Sequence, residues 1–295
     1  MQHLKDIFAG YPCLALTNGL LTLHVMQNAG PRIIGLQAAE GPNLMAEVPL
    51  AGEQPNEFIP RGGQRLWHAP EDLRRTYIAD NEPVSFAFNA ESVLVTQNIE
   101  KETGIQKSME ISMPTGRAEV RVKYGLQNHN LWPVTFAAWP IAQMRMGGFA
   151  ILPQSARATG LLPNRRLVIW PYTDIQSENI VLGNRYIFVQ ARYQGEQKAK
   201  IGWLNDRGWM GYYLDNTLII KQARFEPQGQ YVDMGCNMEC YCDRRFLEME
   251  TLSPLTSVQP GGTLEYEEKW LVFSNLNVSM SEESIEEVIR DLNIE

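Results

Sequence analysis

The sequence predicts an all-β sandwich of mostly antiparallel strands, finished by one short helix near its C-terminal end. Three observations carry this. Short runs rich in β-branched and aromatic residues recur at close spacing along nearly the whole chain. Gly, Asn, Asp and Pro interrupt these runs at sites suited to tight reversals. Helical periodicity shows convincingly only in the last stretch. Most connections are too short to hold a crossover helix, so neighbouring strands are expected to run antiparallel.

In chain order, residues 20–27 and 32–38 open the pattern, after the turn dipeptide Asn18-Gly19. The stretch 51–69 breaks it and is expected to be an irregular loop, a kind of segment that often carries function in compact domains. Segments 84–89, 92–99, 105–113, 118–126 and 134–144 follow as strands. The pattern continues through 186–193, 199–204, 217–225, 246–251 and 263–273, with Asp215-Asn216 and Gly261-Gly262 marking reversals. At the end, Ser279 and Glu282 have capping-box spacing. Ile285, Val288, Ile289 and Leu292 then recur at helical intervals, an apolar stripe that would lie on the sandwich. With no linker or repeat in view, 1–295 reads as one domain with the 279–295 helix packed on it.

Composition narrows the partners. Of 295 residues, 26 are Lys or Arg and 34 are Asp or Glu, a formal charge of −8. That balance, without a basic run, argues against phosphate-backbone binding, so no nucleic acid is expected. No window reaches the roughly 20 apolar residues of a membrane helix, and no leader pattern opens the chain, so a cytoplasmic protein away from membranes is expected. Cys236, Cys240 and Cys242 lie close together. They lack the paired C-x-x-C turns of zinc sites, and Cys240 and Cys242 share one strand face, so packed thiols are expected rather than a metal. The sequence demands no cofactor.

Two clusters could carry chemistry. In Arg61-Gly62-Gly63-Gln64-Arg65-Leu66-Trp67-His68-Ala69-Pro70-Glu71, two glycines permit a tight reversal that gathers Arg61, Arg65, His68 and Glu71. Arg forks bind carboxylates or hydroxyls, and Trp67 offers a flat face for a sugar ring. The plainer reading is a Gly-rich turn with a structural Arg65–Glu71 ion pair. In the second cluster, Phe246 to Pro254, strand alternation puts Glu248 and Glu250 on one face, with Leu247, Met249 and Thr251 on the other. Paired carboxylates in a cleft repel, which raises one pKa into the range of a general acid or base. The plainer reading is a solvated strand face. Seven tryptophans supply further aromatic surface, Trp139 among them.

The run FLEMETLSPLTSVQPGGTLEYEEKW resembles the closing strands of galactose-mutarotase-like proteins, and NGLLTLHVMQNAGPRIIGLQ resembles their opening strands. The RGG at 61–63 is similar to a motif of the hexose-6-phosphate epimerase branch, while RLWHAPE and LEMETLSPL match a bacterial branch of the superfamily. The resemblance implies a super-sandwich of mostly antiparallel strands with a carbohydrate site on a concave face. It implies that a late Glu removes the anomeric hydroxyl proton while a His donates to the ring oxygen. Glu248 matches the Glu by its interval to Pro260-Gly261, with Glu250 beside it. The chain departs from the pattern at the acid: no His follows His129, and Trp139 stands near the expected place. His68, or less readily His129, is left as the stand-in.

The expected function is therefore aldose 1-epimerase-like chemistry on a small carbohydrate, with Glu248 and His68 as catalytic residues. Arg61, Arg65, Trp67, Glu71, Trp139 and Glu250 are expected to bind the substrate. Two alternatives stand beside it: a carbohydrate-binding or sensing protein without catalysis, and an enzyme that processes uronic sugars through the arginines.

Overall fold

The computed structural model describes residues 1–39, 41–48 and 57–294. The chain begins with four successive strands, β1 (Gln2–Phe8), β2 (Tyr11–Thr17), β3 (Leu21–Met26) and β4 (Arg32–Ala38), followed by β5 (Gly63–Ala69). Next come β6 (Ser85–Phe88), β7 (Ser92–Thr96), β8 (Ile105–Ser112), β9 (Glu119–Asn128) and β10 (Val134–Met144). The middle holds β11 (Phe149–Pro153), β12 (Leu167–Ile169), β13 (Ile180–Leu182), β14 (Tyr186–Gln190) and β15 (Ala199–Trp203). The chain closes through β16 (Trp209–Leu214), β17 (Thr217–Ala223), β18 (Met238–Cys242), β19 (Leu247–Thr251), β20 (Thr256–Val258), β21 (Thr263–Phe273) and α1 (Glu282–Asp291).

Among the described residues these strands form two antiparallel sheets. The larger runs β1-β2-β3-β4-β5-β10-β19-β18-β15-β12, with β20 also paired to β10; the other runs β13-β14-β11-β16-β17-β21-β9-β8-β7-β6. The inward faces share one apolar core that includes Leu23, Val25, Ile33, Met249, Val122, Leu126 and Trp270. Inside it lies a polar bridge. Lys221 Nζ sits 3.0 Å from Glu268, both side chains fully buried, and also donates to the Met249 carbonyl. Gln64 Nε2 donates to the Tyr124 hydroxyl, which in turn donates to Glu268 at 2.7 Å. Each buried charge is thus paired and hydrogen-bonded, the condition under which burial is tolerable.

The helix packs Ile285 and Ile289 against Ile151, Phe188, Trp209, Leu218 and Ile220 on the outer face of the second sheet. Its N-cap is Ser281, whose side chain accepts from the Ser284 N–H, two residues later than the Ser279 spacing suggests. Glu282 instead accepts from the backbone N–H groups of Arg185 and Tyr186, fastening the helix to the sheet. No helix is long and apolar enough to cross a membrane among the described residues.

The expected loop over 51–69 requires correction. Residues 51–56 lie outside the described residues, and Gly63–Ala69 is a fully buried strand between β4 and β10. The two glycines do not make a hairpin turn. A Cβ on Gly62 would lie 1.8 Å from the Ala46 carbonyl oxygen, and one on Gly63 would lie 2.0 Å from that of Ile33. With φ of +82° and +70°, both positions require glycine for close backbone approach.

Candidate active site

Alternation along β5 sorts the first cluster. Arg65 and Trp67 emerge on the outer face of the larger sheet, while Gln64, Leu66 and His68 turn into the sandwich. Register carries the outer face across four strands: Arg65 opposes Ile141, Ile141 opposes Glu250, and Glu250 opposes Glu239. The adjacent row runs Gln143, Glu248, Tyr241 and Lys200. The predicted separation of Glu248 and Glu250 from Leu247 and Met249 holds, since those two apolar side chains enter the inter-sheet core.

A cavity of about 550 Å³ opens over these rows, walled by aromatic residues including Trp67, Trp139, Trp170 and Tyr172. Arg65, Lys200 and Glu248 line it, as does Glu71 at its edge. A cavity of about 640 Å³ lies beside it between residues 77–82 and 97–102; among the described residues Tyr77 is its one aromatic wall residue, which leaves it few flat apolar faces for a sugar ring.

Glu248 accepts at Oε1 from Gln143 Nε2 at 2.8 Å and from Arg65 at 3.1 Å. No hydrogen bond from the described residues reaches Oε2, and the side chain keeps 10% exposure where it lines the cavity. Burial pushes its carboxyl above the ordinary range, outweighing the Arg65 guanidinium, which pulls the other way. Arg65 in turn lies 4.1 Å over the Trp67 ring, a cation–π contact that fixes its plane.

Beneath this layer sits a second ionic cluster. Lys200 Nζ is 2.7 Å from Glu239 and 3.0 Å from Glu250, and it lies 4.8 Å from the rings of both Trp139 and Trp170. Trp139 Nε1 donates to Glu250 at 2.8 Å. Burial opposes the Lys200 charge, but the two carboxylates outweigh it and hold the ammonium well above its usual range. Burial likewise drives the Glu239 carboxyl well up, despite its lysine partner. Three carboxylates thus share two cations, and one of them keeps its proton most readily.

Several expected site residues sit elsewhere. His68 is 3% exposed on the inward face, its ring 5.8 Å from Phe136, and Nδ1 has no hydrogen-bond partner among the described residues. Burial, with Lys107 nearby, lowers its pKa to about 3. His68 therefore cannot reach the cavity, and its assignment as acid is withdrawn; strand alternation, invisible while the segment read as a loop, is the reason. Arg61 does not line the cavity but lies 3.6 Å from Asp80, which Arg32 holds at 2.7 Å. Glu250 is fully buried under the floor rather than open to a ligand. Glu71 accepts from Tyr77 rather than pairing with Arg65. His129 is exposed and contacts Gln106. The cysteines are free and buried.

Lys200 and Glu239 escaped sequence reasoning. Their signal was present: each is a charged residue inside an otherwise apolar strand segment, AKIGW and MECYC. Such placement demands a partner across the sheet.

No protein-family model matches the sequence, and no curated protein matches it. Solved structures do. A TPR-domain containing protein from Parabacteroides distasonis superposes with a TM-score of 0.61 at 15% identity, covering 92% of this chain and 48% of that one. This chain thus spans about half the length of that protein. A putative aldose 1-epimerase from Escherichia coli K12 gives 0.56 at 12% identity, covering 88% and 98% of the two chains. A galactose mutarotase-like protein from Lactobacillus casei gives 0.55 at 11%, covering 88% and 100%. At such identities the likeness is one of fold, and by fold the chain is a galactose-mutarotase-like β-sandwich.

Proposed function

We propose that the chain binds a small carbohydrate in the aromatic cavity and interconverts its anomers, with Glu248 as general base. The observation that carries this reading is the Glu248 carboxylate at the cavity floor, oriented through one oxygen by Arg65 and Gln143 while the other takes no bond from the described residues. A base held in this way can take the O1 proton of a cyclic sugar, whose apolar ring face packs on an indole. Burial raises its pKa toward the working pH, where a general base is most effective. The E. coli neighbour described as a putative aldose 1-epimerase supports the reaction class.

Exchange NMR on a panel of aldoses and uronic acids tests the proposal. Anomer interconversion should accelerate with protein, and Glu248→Gln should remove most of the acceleration while keeping sugar binding. Unchanged exchange for every sugar overturns it. A second reading, binding without turnover, is favoured by one observation: among the described residues no histidine lines the cavity. It predicts that a sugar raises the melting temperature of the unaltered protein and of Glu248→Gln equally, with no exchange in either.

A further inference from the structure

We propose that Lys200 is the catalytic electrophile of this site, donating from Nζ to the ring oxygen of the sugar while Glu248 takes the anomeric proton. The inference rests on the reading of Glu248 above and supplies the acid which that reading lacks.

The cavity offers few candidates. Arg65 pairs with Glu248 through one nitrogen and lies over an aromatic face, and a guanidinium does not release its proton. Tyr77 donates its hydroxyl to Glu71, and Tyr241 to Asp243. Arg245 forks onto Asp243 and is 45% exposed at the rim, while exposed Lys198 lies over the Tyr172 ring. Lys200 differs from all of these. It lines the cavity, is 5% exposed, and is held from two sides by Glu239 and Glu250. An ammonium has three N–H bonds; one donates to Glu250 and Glu239 is an ion-pair contact, so a donor remains for a ligand. The rings of Trp139 and Trp170 flank it, so the remaining donor is confined by apolar walls rather than bathed in water.

Register sets its position against the base. Glu248 opposes Tyr241, and Tyr241 opposes Lys200, which places the two backbones about 10 Å apart, or two strand spacings. Both side chains, with that of Tyr241 between them, rise from that row on the same face and line the cavity. The reaction then balances. Glu248 takes the O1 proton, C1=O1 forms, and the C1–O5 bond breaks with its electron pair going to O5. O5 takes a proton from Lys200 Nζ while Nζ takes one from the Glu239 carboxyl, so Lys200 stays an ammonium and Glu239 becomes a carboxylate. After rotation about C1–C2 the steps reverse on the other face, and both groups regain their starting states. The Glu239 carboxyl is buried against Nζ, placed to supply that proton and to take it back on ring closure.

The test compares Lys200→Met with the double variant Lys200→Met/Glu239→Gln, because the single change leaves two buried carboxylates without their cation and is strongly destabilising. Thermal melts establish which variant is folded, and the folded one is assayed by anomer-exchange NMR on the sugar that the unaltered protein turns over. The expected result is a fall in kcat of about 100-fold or more, the scale of a general acid. KM should change less than about threefold, a split that a merely structural lysine would not produce. Retention of kcat in a folded variant overturns the assignment of Lys200 and leaves Glu248 standing. A loss confined to KM also overturns it. Absence of exchange by the unaltered protein, with every sugar, overturns both.

Discussion

Lowering the pH from 7 to 5 should destabilise the fold through His68 in a way that can be isolated. The imidazole is shut into the sandwich, with an ordinary value of 6.5 outside and about 3 inside, burial being the chief cause. Below pH 6.5 the unfolded chain therefore binds a proton that the folded chain refuses, so stability falls as pH drops and continues to fall until pH nears 3. Each unit in that window is worth about 1.4 kcal/mol, so by pH 5 the loss is about 2 kcal/mol. Glu248 and Glu239 act with the opposite sign. Their raised values give stability that is full below about 4.5 and lost as pH rises through their folded pKa. Comparison with His68→Gln cancels the carboxylates. Urea unfolding at a series of pH values should show the unaltered protein losing about 2 kcal/mol more than the variant between pH 7 and 5. Equal slopes, or an imidazole that titrates near 6.5 by NMR, would refute the buried placement and reopen His68 as a site residue.

Other consequences are open to direct measurement. Lys221→Met should cost about 3–5 kcal/mol in urea unfolding, because Glu268 would be left buried without its cation, and adding Glu268→Gln should recover part of the loss. Gly63→Ala should abolish soluble folded protein, since its methyl would collide with the Ile33 carbonyl, whereas Gly10→Ala meets no atom within 4 Å and should be milder, with only backbone strain to relieve. The thiols are pushed up by burial, Cys13 to about 11 and Cys236 to about 12. Alkylation at pH 8 should therefore leave the native protein unlabelled and label it fully in urea.

Much of the architecture was legible because its strands are strongly patterned. The run 134–144 alternates little but is dense in apolar residues, as a strand buried on both faces should be, and it became the central β10. The second-sheet strand 105–112 alternates buried and half-buried positions throughout, the pattern that period-two reading detects. The Glu248–Glu250 pair was legible for the same reason. The failure at β5 has a physical cause. GQRLWHA carries Gln, Arg and His, which read as a solvated loop, yet every one of its residues is buried. Its charge is satisfied by Glu248, 183 residues further along the chain, and no local pattern encodes a partner at that distance. Lys200 and Glu239 were missed on the same account, since their pairing exists only once β15, β18 and β19 lie side by side. The edge strand β1 was missed for the reverse reason. Six of its seven residues are exposed, so no buried face imprints a period on its sequence.

The proposed reaction requires a sugar ring between Glu248 and the tryptophan walls. A crystal structure of Glu248→Gln soaked with the aldose that most raises its melting temperature tests this most directly. The predicted result is a pyranose stacked on Trp67 or Trp139, its O1 within hydrogen-bond distance of residue 248 and its ring oxygen facing Lys200 Nζ. A sugar bound in the neighbouring cavity beside Asp80, with the aromatic cavity empty, would contradict it.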